Sequence, residues 1–288
     1  MTLTTNIPNH EISVAAFGYT DIGRQRKNNE DAFLLADLDT GANDFNLDRS
    51  EHWLGERGAL FVVADGMGGM EAGEVASALA VATLHNGLQH AVHEANSGEK
   101  LQQATARANS AIRQYVQNNP SAKGMGTTLT AALLRDGIAY LAQVGDSRAY
   151  LIRGERIRQL TKDQSMVQQM LDQGLLTPEE AQRHPYRNII MQALGVEDEI
   201  NVALSACSLL RHDCLLLCSD GLSNHVTDAE MQRIVTETES PAYACRLLVE
   251  LANARGGKDN ITVIVARFDG AGLYANDTEA ITQSLRIN

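Results

Sequence analysis

The chain has 288 residues, of which 24 are basic and 36 acidic, giving a formal net charge of −12. This acidic balance argues against nucleic acid or an anionic membrane surface as the main partner. With 44% hydrophobic residues the chain is long enough to bury a full core, and we expect one domain, acting as a monomer.

The cysteines and the N-terminal residues indicate the cellular setting. Four cysteines occur with no Cys-x-x-Cys pair, and no histidine pair has zinc spacing. The N-terminus has no basic-then-apolar signal, and no apolar run approaches the length of a membrane span. We therefore expect a cytoplasmic protein in a reducing compartment, with no membrane partner.

The first predicted strand spans residues 12–19, after a flexible segment at 1–11. A basic cluster that includes Arg26 follows, and a solvated surface is its ordinary explanation. Glu30 and Asp31 then stand directly before an apolar strand.

Residues 37–57 have no clean periodicity, which predicts a long surface loop. Calcium binding in this loop is a weak alternative, because the spacing of its acids does not follow an EF-hand loop.

A short apolar run at 61–64 ends in Asp65 and is followed by three glycines within four residues. Glycines here let the backbone adopt positive φ and approach a ligand closely. A buried strand would carry Asp65 to the strand end, where sites are often built. The alternative is a strand-to-helix turn whose aspartate merely caps the following helix.

Helices are predicted at 71–94 and 99–117. His90 and His93 are spaced i, i+3 on the first helix and could hold a metal, but the sequence provides no third ligand nearby.

A change to period two then predicts an antiparallel meander from 129 to 160, and the turn within it carries Asp146. Residues 161–195 are helical but poorly apolar, which predicts a small flap. The last third predicts strands at 200–206, 214–218 and 261–268, helices at 228–236 and 241–254, and a loosely attached tail at 269–288.

Carboxylates therefore recur at strand ends beside glycine or asparagine. Each alone is an ordinary turn residue. Together they form a candidate site, because no Gly-x-Ser-x-Gly elbow occurs and Gly256-Gly257-Lys258 is followed by aspartate rather than by the Ser or Thr of a phosphate loop. The candidates are Glu30, Asp31, Asp65, Asp146, Asp220 and Asp259.

Like charges gathered at one place must be neutralised, and hard divalent cations such as Mg²⁺ or Mn²⁺ prefer oxygen ligands. Two metals roughly 3.5 to 4 Å apart would suit in-line displacement at phosphorus. Such a site also needs a guanidinium to hold phosphate oxygens, and Arg26 is the candidate.

Five motifs carry a family resemblance. They are Asp21-x-Gly23-x-x-Arg26-x-x-Asn29-Glu30-Asp31, Phe61 to Gly69, Gly145-Asp146-Ser147-Arg148, Ser219-Asp220-Gly221 and Gly257-Lys258-Asp259-Asn260. In this order, over residues 12–268, they resemble the PP2C (PPM) family of metal-dependent protein serine/threonine phosphatases in its bacterial form.

The resemblance implies the fold and the reaction. The fold is α+β, a four-layer αββα sandwich of two antiparallel sheets flanked by helices, with residues 161–195 as a flap near the substrate entrance. The reaction is one-step hydrolysis of phosphoserine or phosphothreonine in proteins by a metal-bridging hydroxide, opposing a Ser/Thr kinase in bacterial signalling.

It also implies roles for individual residues. Arg26 binds the substrate phosphate. The Gly66 carbonyl would face a metal. The implied carboxylate ligands are Asp65 bridging two metals, Asp220 and Asp259 completing the first, Glu30 or Asp31 at the second, partly through water, and Asp146 at a possible third.

The chain departs from the family pattern at three residues. Met67 replaces a histidine proposed in some members as the general acid, so metal-bound water is the expected proton donor, with His184 and His225 as alternatives. Met70 and Gln164 also replace residues that are often histidine in the family, and neither change removes a metal ligand.

Two other functions remain open. A phosphoprotein-binding regulatory module would keep the fold without the chemistry, and the retained aspartates argue against it. A phosphatase for small phosphoesters would share the site, and the shape of the flap would decide between the two.

Overall fold

The computed structural model describes residues 11–41, 52–68, 72–90 and 96–275. The strands are β1 Ser13–Asp21, β2 Asp31–Asp37, β3 His52–Trp53, β4 Ala59–Met67, β5 Gly126–Thr127, β6 Leu129–Arg135, β7 Ile138–Val144, β8 Arg148–Arg153, β9 Arg156–Gln159, β10 Ala203–Ser208, β11 Cys214–Cys218 and β12 Ile261–Asp269. The helices are α1 Ala72–Gln89, α2 Ser97–Asn118, α3 Met166–Asp172, α4 Pro178–Arg183, α5 Asp220–Ser223, α6 Asp228–Glu237 and α7 Pro241–Ala254.

The strands form two antiparallel sheets. The first sheet has the order β3-β1-β12-β11-β8-β9, and the second has the order β10-β7-β6-β4-β2 with β5 pairing with β4. Apolar residues from both sheets meet in a central core, which includes Phe61, Leu141 and Phe268. The central strands β4 and β11 are almost wholly buried because each is covered on both faces.

Helices cover the outer face of each sheet. Helices α1 and α2 pack on the second sheet through a cluster that includes Leu84, Leu101 and Ile112. Helices α6 and α7 cover the first sheet through Met231 and Leu248. The predicted four-layer αββα sandwich is therefore confirmed.

The predicted meander from 129 to 160 is wrong in one respect. Strands β6 and β7 pair with each other, as do β8 and β9, but the two pairs belong to different sheets. The connection Gly145-Asp146-Ser147 crosses from one sheet to the other. Period-two alternation identifies a strand but does not say which sheet it joins, and Gly145 turns the chain with a φ of +100°.

Several other predictions differ in their limits. The strand predicted from residue 200 begins at Ala203. The predicted loop at 37–57 contains β3 and lies partly outside the described residues, as do His93, Gly69 and Met70. The metal pair of His90 and His93 therefore stays a prediction.

The tail begins with an anchored segment. Leu273 is 3% exposed and belongs to the central core, and the Gly272 N–H donates to the Glu11 carbonyl. The expectation of a loosely attached tail is thus wrong as far as residue 275, because Leu273 is buried among the core residues of both sheets. Residues 276–288 lie outside the described part.

No helix within the described ranges combines the length and the apolar character needed to cross a membrane.

Candidate active site

Carboxylates from both sheets meet at one end of the sandwich. Asp31 on β2 lies directly opposite Asp65 on β4 in the register of the second sheet. Ser219, directly after β11, and Thr262 on β12 reach Asp31 from the first sheet's side, since their hydroxyl groups donate to its Oδ2 over 2.8 and 2.6 Å. Asp31 therefore joins the two sheets at the site.

Asp65 is held through its backbone. Its N–H donates to Thr128 Oγ1 over 2.9 Å, and its carbonyl accepts from Thr127 Oγ1 and from the Thr128 N–H, each over 2.9 Å. Thr128 Oγ1 also shares a hydrogen bond of 2.8 Å with Ser147 Oγ, next to Asp146. Threonine is common in strands, so the sequence carried no signal for these two positions.

Burial and mutual repulsion dominate the electrostatics of the cluster. Burial raises the pKa of Asp31 to about 7, although the hydroxyls of Thr262 and Ser219 lower it. Burial, followed by repulsion from Asp31 and Asp220, raises the pKa of Asp65 well above its ordinary value.

The two remaining buried aspartates behave in the same way. Burial, then repulsion from Asp259, raises the pKa of Asp220 to about 6, while a hydrogen bond with Asp65 opposes the shift. Burial, then the charge of Asp220, raises the pKa of Asp146 to about 8. The cluster thus holds more negative charge than its protein surroundings stabilise.

Gly66 packs where no side chain fits. A Cβ atom there would lie 2.1 Å from the Gly73 carbonyl oxygen and 2.6 Å from that of Glu30. The Gly66 N–H donates to the Glu30 carbonyl over 3.1 Å, and the Glu30 carboxyl group in turn packs against Gly73. Burial raises the pKa of Glu30, and Arg26 opposes that shift.

Arg26 contacts the cluster through Asp259. Its Nη2 donates to Asp259 Oδ2 over 2.6 Å, and the Arg26 side chain is about half exposed at 49%. Asn260 positions this region, because its side chain accepts from the Glu30 N–H and donates to the carbonyls of Ile22 and Asn28. The structure thus brings all the predicted carboxylates and Arg26 to one region.

The donor set fits hard divalent cations by its chemistry. Asp31 Oδ1 and Asp220 Oδ1 are buried without a hydrogen-bond partner, and carboxylate oxygens are the ligands such ions prefer. Within the described ranges, no three His, Cys, Asp or Glu side chains already surround one point at ligating distance. Protein groups bind other oxygens of the cluster. Two hydroxyl groups donate to Asp31 Oδ2, and Arg26 donates to Asp259 Oδ2.

Comparison with known proteins decides the family. The family model described as protein phosphatase 2C matches residues 40–254. The serine/threonine phosphatase Stp of Listeria innocua is 37% identical over 249 residues, 85% of this chain and 92% of that protein. The chain belongs to the protein phosphatase 2C family.

Solved structures of the protein phosphatase 2C family agree with this assignment. The serine/threonine phosphatase PstP of Mycobacterium tuberculosis is 37% identical, with a TM-score of 0.77 over 89% of this chain and 99% of that one. A PstP catalytic domain in complex with two manganese ions is 36% identical, with a TM-score of 0.75 over 90% of this chain and 99% of that one.

In this member of the family, a cleft of about 650 Å³ opens beside the carboxylates. Asp146 and Asp220 are among the residues that line it. One wall comes from residues 161–195, which we call the flap segment and which contains α3 and α4, and the other comes from α5 and the start of α6. The cleft gives an extended substrate a route to the carboxylates.

The alternative proton donors differ in their placement. His225 lines the cleft, and its Nδ1 lies 3.0 Å from the Gly221 carbonyl oxygen, to which a protonated Nδ1 donates. His184 is on the flap segment, where its Nδ1 accepts from the Tyr186 N–H. The Met67 methyl group lies near Gly126, where a Cβ atom would be 2.9 Å away. Of the two histidines, only His225 lines the cleft.

Proposed function

We propose that this protein uses divalent cations at the carboxylate cluster to hydrolyse phosphoserine and phosphothreonine in other proteins. By its family the chain is a metal-dependent protein serine/threonine phosphatase. The observation that carries the assignment to this site is the meeting of Asp31, Asp65, Asp146 and Asp220 in one cluster, of which Asp146 and Asp220 line a large cleft.

Several residues would hold the cations. Asp65 would lie between two metal positions, with the Gly66 carbonyl beside it. Asp220 and Asp259 would complete the first position, Asp31 and Glu30 the second, and Asp146 a third. The relative solved with two manganese ions supports a pair, and Mn²⁺ or Mg²⁺ fits the all-oxygen donor set.

The bound cations would supply Lewis acidity toward the phosphoryl oxygens and toward water. The protein's own residues bind and orient the substrate. The Arg26 guanidinium has donors beyond the one used by Asp259, so it can also hold a phosphate oxygen at the edge of the site. With Met67 in the family's histidine position, we assign protonation of the departing Ser or Thr oxygen to water.

The partners follow from this function. The substrates are phosphorylated proteins, and we infer that a Ser/Thr kinase and its targets are among them. A monomer acting in the cytoplasm, and a domain at 12–268 between a flexible start and a tail, remain predictions. A small-phosphoester phosphatase would use the same carboxylates, so the substrate comparison below tests it directly.

The test measures hydrolysis of a phosphothreonine peptide and of p-nitrophenyl phosphate, with Mn²⁺, with Mg²⁺ and with chelator. We expect metal-dependent turnover and a preference for the peptide. A preference for the small ester would support the alternative, and activity that survives chelation would contradict the proposal.

Asp65→Asn should lower metal-dependent turnover by a factor of about 10² or more. The carboxylate charge that would hold the cations is lost, while the shape of the side chain is kept. Its matched control is Asp198→Asn, which changes an exposed aspartate paired with Arg113. Circular dichroism checks folding, and an Asp65→Asn protein with undiminished turnover would refute the assignment.

A further inference from the structure

Two loops at the carboxylate cluster carry exposed cations. Arg24 lies in the loop between β1 and β2, and Lys258 precedes Asp259 in the loop between α7 and β12. Both residues are exposed, and neither makes an ion pair with another residue in the described ranges. They add local positive charge to a chain whose formal net charge is −12.

The two loops are joined through their backbones. The Arg24 N–H donates to the Gly257 carbonyl over 2.7 Å. A Cβ atom on Gly257 would lie 2.8 Å from Arg24 Cγ, and one on Gly256 would lie 3.9 Å from Lys258 Cγ and 4.0 Å from Lys258 Cε. Because neither glycine carries a side chain, the stems of Arg24 and Lys258 both lie against this one stretch of backbone.

The two cations lie close to the residue proposed to hold the substrate phosphate. Arg26 is two residues from Arg24, which limits the distance between their Cα atoms to about 7 Å. Lys258 is directly next to Asp259, whose Oδ2 accepts from Arg26 Nη2 over 2.6 Å. Arg24 and Lys258 therefore lie at the rim of the carboxylate cluster, on either side of the contact between Arg26 and Asp259.

The neighbouring Arg255 differs from these two cations, because the protein itself binds its guanidinium. Its Nη1 and Nη2 donate to the two carboxylate oxygens of Glu230 over 2.7 and 2.6 Å, and Nη1 also donates to the His225 carbonyl. The charge of Arg255 is thus balanced within the fold. The charges of Arg24 and Lys258 face solvent, where an anion on another molecule can reach them.

We propose that Arg24 and Lys258 form a second anion subsite, which binds a phosphate or carboxylate that the substrate carries close to the residue being dephosphorylated. This inference rests on the proposed function, which places the target phosphate at Arg26. A guanidinium beside an ammonium suits a phosphate best, because the planar fork can bind two of its oxygens. The subsite makes a doubly phosphorylated or acidic segment the preferred substrate.

The geometry of an extended peptide sets the spacing between the two anions. Side chains two residues apart point to the same side of an extended chain, and a rise of about 3.3 Å per residue separates them by about 7 Å. A similar distance separates Arg24 from Arg26. We therefore expect the second anion two residues before or after the target phosphothreonine.

The test compares phosphothreonine peptides that differ only at the position two residues before or after the target. One series carries alanine there, a second carries glutamate, and a third carries a phosphonate analogue of phosphoserine, which cannot be hydrolysed. Each peptide is assayed with the Mn²⁺-loaded protein. The readout is kcat/KM for each anionic peptide divided by kcat/KM for the alanine peptide, since this ratio cancels changes that affect all substrates equally.

The variants are Arg24→Gln, Arg24→Lys and Lys258→Gln, with Arg156→Gln as the matched control. Glutamine keeps the Cβ and Cγ atoms of either side chain and removes the charge. Arg156 is an exposed arginine at the start of β9, outside the two loops, and its replacement changes the net charge by the same amount. Circular dichroism checks that each variant folds.

We expect the unmodified protein to favour the phosphonate peptide by about fivefold or more, because an exposed ion pair changes affinity by up to about fivefold. The preference for glutamate should be smaller. Arg24→Gln and Lys258→Gln should each lower the phosphonate ratio by about threefold. Arg24→Lys should keep more of it than Arg24→Gln, and Arg156→Gln should keep all of it.

Ionic strength separates the effect of charge from that of lost packing. Raising the salt concentration from about 0.05 M to about 0.5 M should lower the ratio in the unmodified protein, because exposed charges are screened. The ratio should change less with salt in Arg24→Gln. A ratio that does not respond to salt in the unmodified protein would contradict the subsite.

The outcomes separate failure of this inference from failure of the proposed function. If no peptide is hydrolysed with Mn²⁺, the proposed function is wrong and the subsite falls with it. If all peptides are hydrolysed with equal kcat/KM, or if the preference persists in both Arg24→Gln and Lys258→Gln, the function stands and the subsite is overturned. A preference lost in these variants supports the subsite, and the peptide with the larger gain identifies the group that it binds. If one variant does not fold, the other decides.

Discussion

Asp31 is a buried carboxyl group whose pKa, at about 7, lies close to neutral pH. Burial raises its pKa, as do the charges of Asp220 and Asp259, while two hydroxyl donors lower it. Because this pKa lies near neutral pH, the loss of one donor would raise it further and leave more of the group protonated. The hydroxyl of Thr262 is the closer donor, at 2.6 Å.

Thr262→Val should therefore weaken Mn²⁺ binding by about tenfold near neutral pH, because a hydrogen bond to a charged group contributes about 1.5–3 kcal/mol. Valine keeps the shape of threonine, and Thr262 is fully buried. Calorimetric titration with Mn²⁺ measures the effect, and Thr236→Val on the exposed face of α6 is the control. Unchanged affinity would mean that this donor does not help to hold Asp31 ionised.

Arg26 should act mainly on substrate binding. We expect Arg26→Ala to raise KM by about tenfold or more, with a smaller change in kcat, because a charged hydrogen bond to phosphate is lost. Arg26→Lys should restore only part of the loss, since lysine lacks the planar fork. Steady-state kinetics on a phosphothreonine peptide check this, with Lys27→Ala as the exposed control.

An unchanged KM in Arg26→Ala would count against the phosphate role. Because Arg26 also binds Asp259, a parallel Mn²⁺ titration is needed to separate substrate binding from metal binding.

At the scale of elements, the loop between β1 and β2 is held against the residues before β12. Asn260 makes three hydrogen bonds across this junction and is 3% exposed. A Cβ atom on Gly23 would also lie 2.2 Å from the Asp259 carbonyl oxygen, so the two segments touch closely. Their contact places Glu30 and Asp259 at the same end of the sandwich.

Asn260→Ala should lower the free energy of unfolding by about 1–3 kcal/mol, because it leaves a buried N–H and two carbonyls without their partner. Mn²⁺ affinity should fall as well, since both segments carry candidate ligands. Urea unfolding measures the first effect and calorimetry the second. Asn118→Ala, at the exposed end of α2, should be close to neutral, and an equally small effect at Asn260 would refute this view of the junction.

At the scale of the whole molecule, the carboxylate cluster ties folding stability to pH. Folding raises the pKa of Asp220 to about 6, of Asp31 to about 7 and of Asp146 to about 8, whereas an aspartate in an unfolded chain has a pKa of about 3.9. The folded protein therefore binds more protons than the unfolded chain between these values. Its stability without metal must fall as pH rises through that window.

Chelator-treated protein should accordingly lose stability as the pH rises from about 4 to about 8, by up to about 1.4 kcal/mol per pH unit for each carboxyl group that is still protonated in the folded state. Mn²⁺ should stabilise more strongly at the higher pH, because its ligands must lose their protons first. Urea unfolding at several pH values, with and without Mn²⁺, checks both slopes. Stability that is flat or rising in chelator would show that the cluster does not control it.

Local pattern alone predicted most of the strands and helices. The apolar run of β11 and the start signals of α6 and α7 lie within a few consecutive residues, so their limits could be predicted closely from sequence. The aspartates beside glycine or asparagine were found in the same way, and their order along the chain carried the resemblance to the protein phosphatase 2C family.

Only the tertiary structure decided which distant residues meet. Strand periodicity could not place β8 in the other sheet from β7, nor could it join Ser219 and Thr262 to Asp31 or Gln164 to Gly145. These contacts depend on how two sheets pack and where each side chain points, which neighbouring residues do not determine. The sequence by itself determined which carboxylates are available, and the packing of the two sheets decided which groups surround each one.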